Sequence, residues 1–375
     1  MARPLSPLPY MPQLDGLRAL AVSAVLVHHL LDAAHLPDFL RHVSFGYLGV
    51  RLFFVLSGFL ITGILLRSRA STEDGRTGLG HALRTFYARR FLRIFPLYYL
   101  VVALALLAGV PEAWSGWPWL LTYTYNFHIL ALHWYPEYFG HFWSLSVEEQ
   151  FYVFWPLLIL LAPRRALAPA IGATMALALL YRAWAASSLG GIAVYTFTLS
   201  SFDALGAGSL AALLAAGTVD RQRVSRVLLR CLLPVATLTA VATTVAFVFA
   251  IVGWAVFATV FEAAVALAFV ALVWGAAGGF SGPIGALLAL RPVVHLGRIS
   301  YGVYVYHQFA PPLVRRGLER LGIELAERGP AEFAFTAAAT VLVAAVSWHA
   351  FEAPIGRLKR RFRIDAGARR ETPRA

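Results

Sequence analysis

The sequence is poor in three things. It has one cysteine, Cys231, in 375 residues. No disulfide can close within the chain, and no cysteine cluster can hold a metal. It has little charge, 14% of residues, where an ordinary soluble domain carries about 25%. It also has a single lysine, Lys359, so nearly all of its 32 basic residues are arginine. Apolar residues take the place of charge, at 59% and a mean hydropathy of +0.68. A soluble fold of this length has no use for that much apolar surface, so the composition points to a membrane protein. It excludes a disordered chain and a collagen-like rod. The net charge of +13 invites a nucleic-acid reading, yet basic loops orient membrane helices and explain the excess without one. Positions 1–13 hold one arginine, four prolines and no small-residue cleavage pattern. The first apolar run is therefore expected to stay in place as a membrane helix.

Apolar runs of about 17–25 residues span a bilayer as helices. About ten occur, near 17–34, 46–66, 94–110, 146–162, 167–185, 196–217, 231–252, 255–276, 295–314 and 331–351. They predict an all-α, polytopic integral membrane helix bundle. A stretch near 117–132 is short and broken by Asn126 and His128, and is expected outside the membrane as a lid or re-entrant segment. Seven arginines lie within 67–93, whereas 111–143 has no lysine or arginine. The chain after Pro354 is basic again. Basic clusters on alternate loops predict that both termini are cytoplasmic. The loop near 315–330 fits this pattern poorly, because it should be external yet holds Arg315, Arg316, Arg320 and Arg328. The expected organisation is one membrane domain over residues 1–360 and a basic, disordered cytoplasmic tail over 361–375.

A titratable side chain in the apolar zone costs several kcal/mol, so each one is a functional candidate. The first helix begins with Asp15 and Arg18 and ends with His28 and His29. Arg18 and His29 are eleven residues apart. They therefore share a helix face, about 16 Å apart along the axis, with Asp15 near the same stripe. A buried imidazole is suited to act as a general base. The alternative for a lone histidine is a hydrogen bond to a neighbouring helix and nothing more. In the second helix, Ser57-Gly58 either allows close helix packing or contributes Ser57 to a site. Arg51 either snorkels or meets a ligand. Arg90 and Arg93 stand at i, i+3 as two adjacent guanidinium forks, suited to phosphate oxygens or to lipid headgroups. Glu148 and Glu149 open another helix. The helix dipole accounts for one of them, and the other is free to meet the His29 face or Arg51. Asp203 lies within an apolar run, and Tyr301, Tyr304 and His307 share an i, i+3, i+6 face. That face is either simple packing or a pocket wall. The segment 111–143 is dense in Trp, Tyr and Phe. These form either an interfacial aromatic belt or a stacking platform for a sugar.

Seven segments occur in one order: LDGLRALAV with the Arg18–His29 spacing, GVRLFFVLSGFLIT, FYARRFLRIFPLYY, FWSLSVEEQFY, FDALGAGSLAALL, LGRISYGVYVYH and FEAP. With them the chain resembles the membrane acyltransferase-3 family over roughly residues 13–360. That family includes O-antigen and peptidoglycan O-acetylases and macrolide O-acyltransferases. The resemblance implies an O-acyltransferase moving an acyl group, commonly acetyl, from cytoplasmic acyl-CoA to a hydroxyl. It implies His29 as the catalytic residue and Arg18, Arg90 and Arg93 as residues tied to the acyl donor or to activity. Two positions depart from the family pattern. Arg51 stands where an acidic residue is common, and Ser200 and Ser201 stand where a basic residue often precedes the Asp203 motif.

On this reading His29 takes the acceptor proton, and Glu149 or Asp15 orients the ring. Arg18, Arg90 and Arg93 bind the donor phosphates, with Glu148, Ser57, Tyr301 and His307 as further substrate contacts. No bound cofactor and no metal are expected, acyl-CoA being a co-substrate. The expected partners are the lipid bilayer, acyl-CoA and a saccharide or macrolide acceptor, without nucleic acid. The expected location is the plasma or inner membrane, as a multi-pass protein. A transporter of envelope glycans or lipid intermediates is the alternative from another class.

Overall fold

The structure is a computed structural model that describes residues 10–217 and 219–362. All but the first two positions of the tail expected at 361–375 lie outside the described residues. Among those described, the regular structure is entirely helical.

The first half comprises α1 (Pro12–Leu30), α2 (Phe45–Glu73), α3 (Leu79–Leu107), α4 (Pro111–Leu121), α5 (Tyr125–Leu132), α6 (Phe142–Leu161), α7 (Arg164–Ser188), α8 (Gly191–Thr196) and α9 (Phe202–Ala216). The second half adds α10 (Arg221–Val227), α11 (Leu233–Val248), α12 (Trp254–Gly278), α13 (Gly282–Leu288), α14 (Arg291–Tyr306), α15 (Ala310–Glu319), α16 (Pro330–Ser347) and α17 (Ala353–Arg357). Proline occupies the first turn of α1, α13, α14 and α16, where a missing N–H leaves no bond unmade.

Among the described residues, eight helical stretches are long and apolar enough to cross a membrane: Phe45–Glu73, Leu79–Leu107, Phe142–Leu161, Arg164–Ser188, Thr198–Ala216, Arg221–Val248, Trp254–Gly278 and Pro330–Arg361. They coincide with eight of the expected runs. The other two runs fall on α1, with 19 residues, and α14, with 16. α14 is too short to count as a span by itself, and both helices carry polar side chains. Asp15, Arg18, His28 and His29 interrupt α1, and Arg291, His295 and Arg298 interrupt α14. The two pack on each other, and α1 also packs on α2. The approach is close: a Cβ on Gly297 of α14 would overlap the backbone carbonyl of Asp15.

The stretch near 117–132 is broken between α4 and α5 at 122–124, and not at Asn126 and His128, which lie within α5. Glu112, in the first turn of α4, accepts from the backbone N–H groups of Glu137, Tyr138 and Phe139 at 2.8, 2.9 and 3.2 Å. One carboxylate thereby fixes the loop that leads into α6.

Gly58 of α2 and Gly208 of α9 form a reciprocal contact. A Cβ on Gly58 would overlap the Leu205 carbonyl, and one on Gly208 the Val55 carbonyl. Small residues let membrane helices approach this closely, so packing is gained where no hydrophobic effect operates between helices in lipid. Packing therefore accounts for Gly58, while Ser57 beside it points to a different partner.

Four buried charges tie the same region together. Arg51 of α2 donates to both carboxylate oxygens of Asp203 in α9, at 2.8 and 2.6 Å. Its Nε lies 3.1 Å from Glu262 of α12. Arg182 of α7 reaches Asp203 at 2.9 Å and also donates to the Ser200 carbonyl. Two cations face two anions, so the group is neutral and spans four helices. Arg51 therefore neither snorkels nor meets Glu148 or Glu149. The two departures from the family pattern, at position 51 and beside Asp203, meet in this one place. Breaking such a buried pair costs about 3–5 kcal/mol, because the remaining charge is stranded.

Candidate active site

Two chambers open within the bundle. The first, of about 710 Å³, lies at the C-terminal end of α1. His28 and His29 line it with Tyr47 and Val50 of α2, the loop residues Tyr135 and His141, and Arg315, Arg328 and Glu332 from the α15–α16 region. The second, of about 120 Å³, is lined by Arg18, Arg90, Arg93, Ser57, Glu148, Glu149 and Tyr301. Seven residues singled out in the sequence, from five helices, thus face one recess. Val50 and Tyr304 line both chambers. Tyr304 is held by its hydroxyl, 2.6 Å from Ser144 Oγ and 2.9 Å from the His141 carbonyl. Its ring stands in the partition between the two chambers.

In the first chamber, His29 Nδ1 lies 3.1 Å from His307 Nε2. His307 Nδ1 lies 2.6 Å from the Tyr304 carbonyl. A carbonyl can only accept, so His307 carries its proton on Nδ1 and its neutral Nε2 is an acceptor. His29 must then donate from Nδ1, which leaves its own Nε2 with a lone pair. The tautomers follow from the acceptor that ends the chain. A fixed tautomer with a free ring nitrogen is what a general base requires. His141 packs against His307 with ring centroids 4.5 Å apart, and the whole of His307 is buried.

This geometry corrects the expectation that Asp15 or Glu149 orients His29. Asp15 accepts from Arg18 at 2.7 Å and from the Tyr10 hydroxyl at 2.7 Å. It lies fourteen residues from His29 along α1, about 21 Å at the helical rise. Glu149 lines the second chamber and not the first. His307, expected as a substrate contact, is the group that orients the ring. Asp15 instead positions Arg18.

The second chamber is organised around its charges. Glu148 accepts from Ser57 Oγ at 2.8 Å and from the Tyr152 hydroxyl at 3.3 Å. Glu149 is buried, and its Oε1 has no hydrogen-bond partner. The Arg90 guanidinium stands 5.9 Å from the Tyr152 ring centroid, and that of Arg93 stands 4.9 Å from the Trp348 ring centroid. Among the described residues, no carboxylate lies within ion-pair distance of Arg90 or Arg93. Tyr301 gives its hydroxyl to the Ile94 carbonyl at 2.9 Å, so it fastens α14 to α3 and forms a wall. Two unpaired guanidinium groups in a recess form a site for an anion.

Sequence reasoning missed His141, Arg182 and Glu262. The last two carried a signal, since each is a lone charge inside an apolar run. His141 carried none, because nothing in its neighbourhood distinguishes it from other loop histidines.

These features define a class: a polytopic membrane helix bundle with a buried histidine pair and an arginine-lined recess on opposite sides of one aromatic partition. The chain belongs to the acyltransferase-3 family, whose model, described as an acyltransferase domain, matches residues 11–349. Among curated proteins it is similar to the peptidoglycan O-acetyltransferase OatA of Listeria monocytogenes, with 34% identity over 168 residues, 40% of this chain and 24% of OatA. It is also similar to YrhL of Bacillus subtilis, provisionally assigned the same activity, with 34% identity over 167 residues, 40% of this chain and 24% of YrhL. The matches span about a quarter of the length of these relatives. No solved structure matches the chain.

Proposed function

We propose that this protein is a membrane O-acyltransferase of the plasma membrane. It moves an acyl group, acetyl being the natural candidate, from acyl-CoA to a hydroxyl of a peptidoglycan-like envelope saccharide. The observation that carries the reading is the chain from the Tyr304 carbonyl through His307 to His29, with the anion recess beyond Tyr304. The saccharide is inferred from the names of the relatives.

The donor approaches through the arginine chamber, from the cytoplasm, with its thioester near the Tyr304 partition. The acceptor hydroxyl occupies the histidine chamber. His29 Nε2 takes the hydroxyl proton as the oxygen attacks the thioester carbonyl. The new C–O bond forms, the C–S bond breaks, and the CoA sulfur leaves as thiolate. The imidazolium returns the proton to that sulfur. His307 holds the tautomer throughout and shares the charge while His29 is protonated.

The test uses purified full-length protein in lipid nanodiscs with acetyl-CoA and a soluble muropeptide. Free thiol and acetylated product are measured together. Stoichiometric release of both supports the reading. A wild-type protein that moves glycan across a bilayer without consuming acetyl-CoA would establish the transporter instead.

A further inference from the structure

The arginine chamber, at about 120 Å³, is far below the roughly 300–1,000 Å³ of sites that enclose a drug-sized ligand. It can admit a thin, flexible arm but not a nucleotide. Any phosphate-rich head on such an arm must rest outside it. A second opening lies on the other side of Arg93. This cleft, of about 370 Å³, is lined by Arg93, Trp348, Glu352, Arg357, Lys359 and Arg360. Arg93 lines both spaces, with its guanidinium over the Trp348 ring at 4.9 Å. Its Nη2 donates to the Arg298 carbonyl at 3.2 Å, which holds the side chain at the boundary. Arg89 donates to the Phe362 carbonyl at 2.9 Å, so the basic C-terminal segment is tied onto α3.

The cleft holds four basic side chains against one carboxylate. Lys359 is half-buried, and the charged groups around it are Arg93, Arg90, Arg89 and Glu352. The one carboxylate is turned inward, since Glu352 Oε1 would lie 3.2 Å from a Cβ on Gly302 of α14. Among the described residues Arg357, Lys359 and Arg360 have no ion-pair partner. Holding like charges this close disfavours the empty site and favours an anion with several phosphate oxygens.

We infer that the cleft between α3 and the 348–360 segment binds the phosphates of the donor's nucleotide, with Arg357, Lys359 and Arg360 as ligands and Arg93 as the joint between nucleotide and arm. The inference rests on the acyl-CoA reading and extends it to residues outside the seven segments that carry the family resemblance. Lipid headgroup phosphates have the same chemistry, and the experiment separates the two sources.

Full-length protein in phosphatidylcholine nanodiscs is titrated with adenosine 3′,5′-bisphosphate, with adenosine as control. The comparison is between wild type, the double variant Lys359→Gln/Arg360→Gln and the single variant Arg357→Gln. Arg357 is exposed, so its replacement tests the site even where the double variant does not fold. The expected result is binding by wild type, about tenfold weaker in each variant that folds, as loss of charge-assisted phosphate contacts dictates, and no binding of adenosine. The donor KM should rise in parallel. Equal bisphosphate affinity in wild type and variants would overturn the subsite while leaving the acyl-CoA reading intact. Failure of wild type both to bind the bisphosphate and to consume acetyl-CoA would remove the donor reading, and the subsite with it. If phosphatidylglycerol nanodiscs abolish bisphosphate binding in wild type but not in the variants, the cleft belongs to headgroups and the inference is overturned.

Discussion

The bundle treats two groups of arginines in opposite ways. Around Asp203, Arg51 and Arg182 meet two carboxylates and the charges close on themselves. Around the second chamber, Arg90 and Arg93 have no carboxylate partner, although Glu148 and Glu149 line the same recess. The carboxylates there are taken up by Ser57 and Tyr152 or left open. A buried charge is tolerated when paired and costly when alone. The first group is thus complete without a ligand and serves the fold. The second lacks a counter-charge, and an anion resting at its Arg93 boundary relieves it.

This contrast can be broken experimentally. The largest effect should come from Asp203→Asn, which strips Arg182 of its carboxylate and leaves Arg51 with Glu262 alone. A loss of about 3–5 kcal/mol is expected, read as a lower melting temperature or loss of the monodisperse peak in detergent. Next is His29→Ala, which should reduce acyl transfer by about 10²–10⁴-fold while leaving the melting temperature near that of wild type. Transfer within a few-fold of wild type would remove His29 from the chemistry.

His307→Phe comes third. It abolishes the acceptor for His29 Nδ1 and should lower kcat, by no more than the about 10⁴-fold lost in triads whose orienting group is changed. His307→Gln, which can still accept, should recover part of the rate. A rate equal in both variants would make His307 a packing residue only. Arg90→Met should raise the donor KM about tenfold without lowering the melting temperature, whereas Arg51→Met should lower it. The same response from both would dissolve the distinction between paired and unpaired arginines. The smallest effect is expected for Ser57→Ala, a loss of about 0.5–1.5 kcal/mol from one hydrogen bond to Glu148, measured by thermal unfolding.

Much of this was legible in the sequence. Apolar length located eight spans, and the spacing of Arg18 and His29 placed both on one face of α1. Arg90 and Arg93 were recognisable as a pair because i, i+3 neighbours share a helix surface. The partner of His29 was not legible. Carboxylates are the usual orienting groups for a histidine base, which favoured Asp15 and Glu149. The ring instead meets His307, which lies 278 residues away. Arg51 also misled, because its partners Asp203 and Glu262 come from two other helices.

By itself the sequence determined that this is a membrane bundle and which polar side chains it must bury. Local spacing sets helix faces, and the bilayer excludes the alternatives to helices. Only the tertiary structure decided which buried groups neutralise one another and which are left open. Pairing depends on how α1, α2, α9, α12 and α14 cross, through side-chain packing between segments far apart in the chain, and no helical periodicity encodes that.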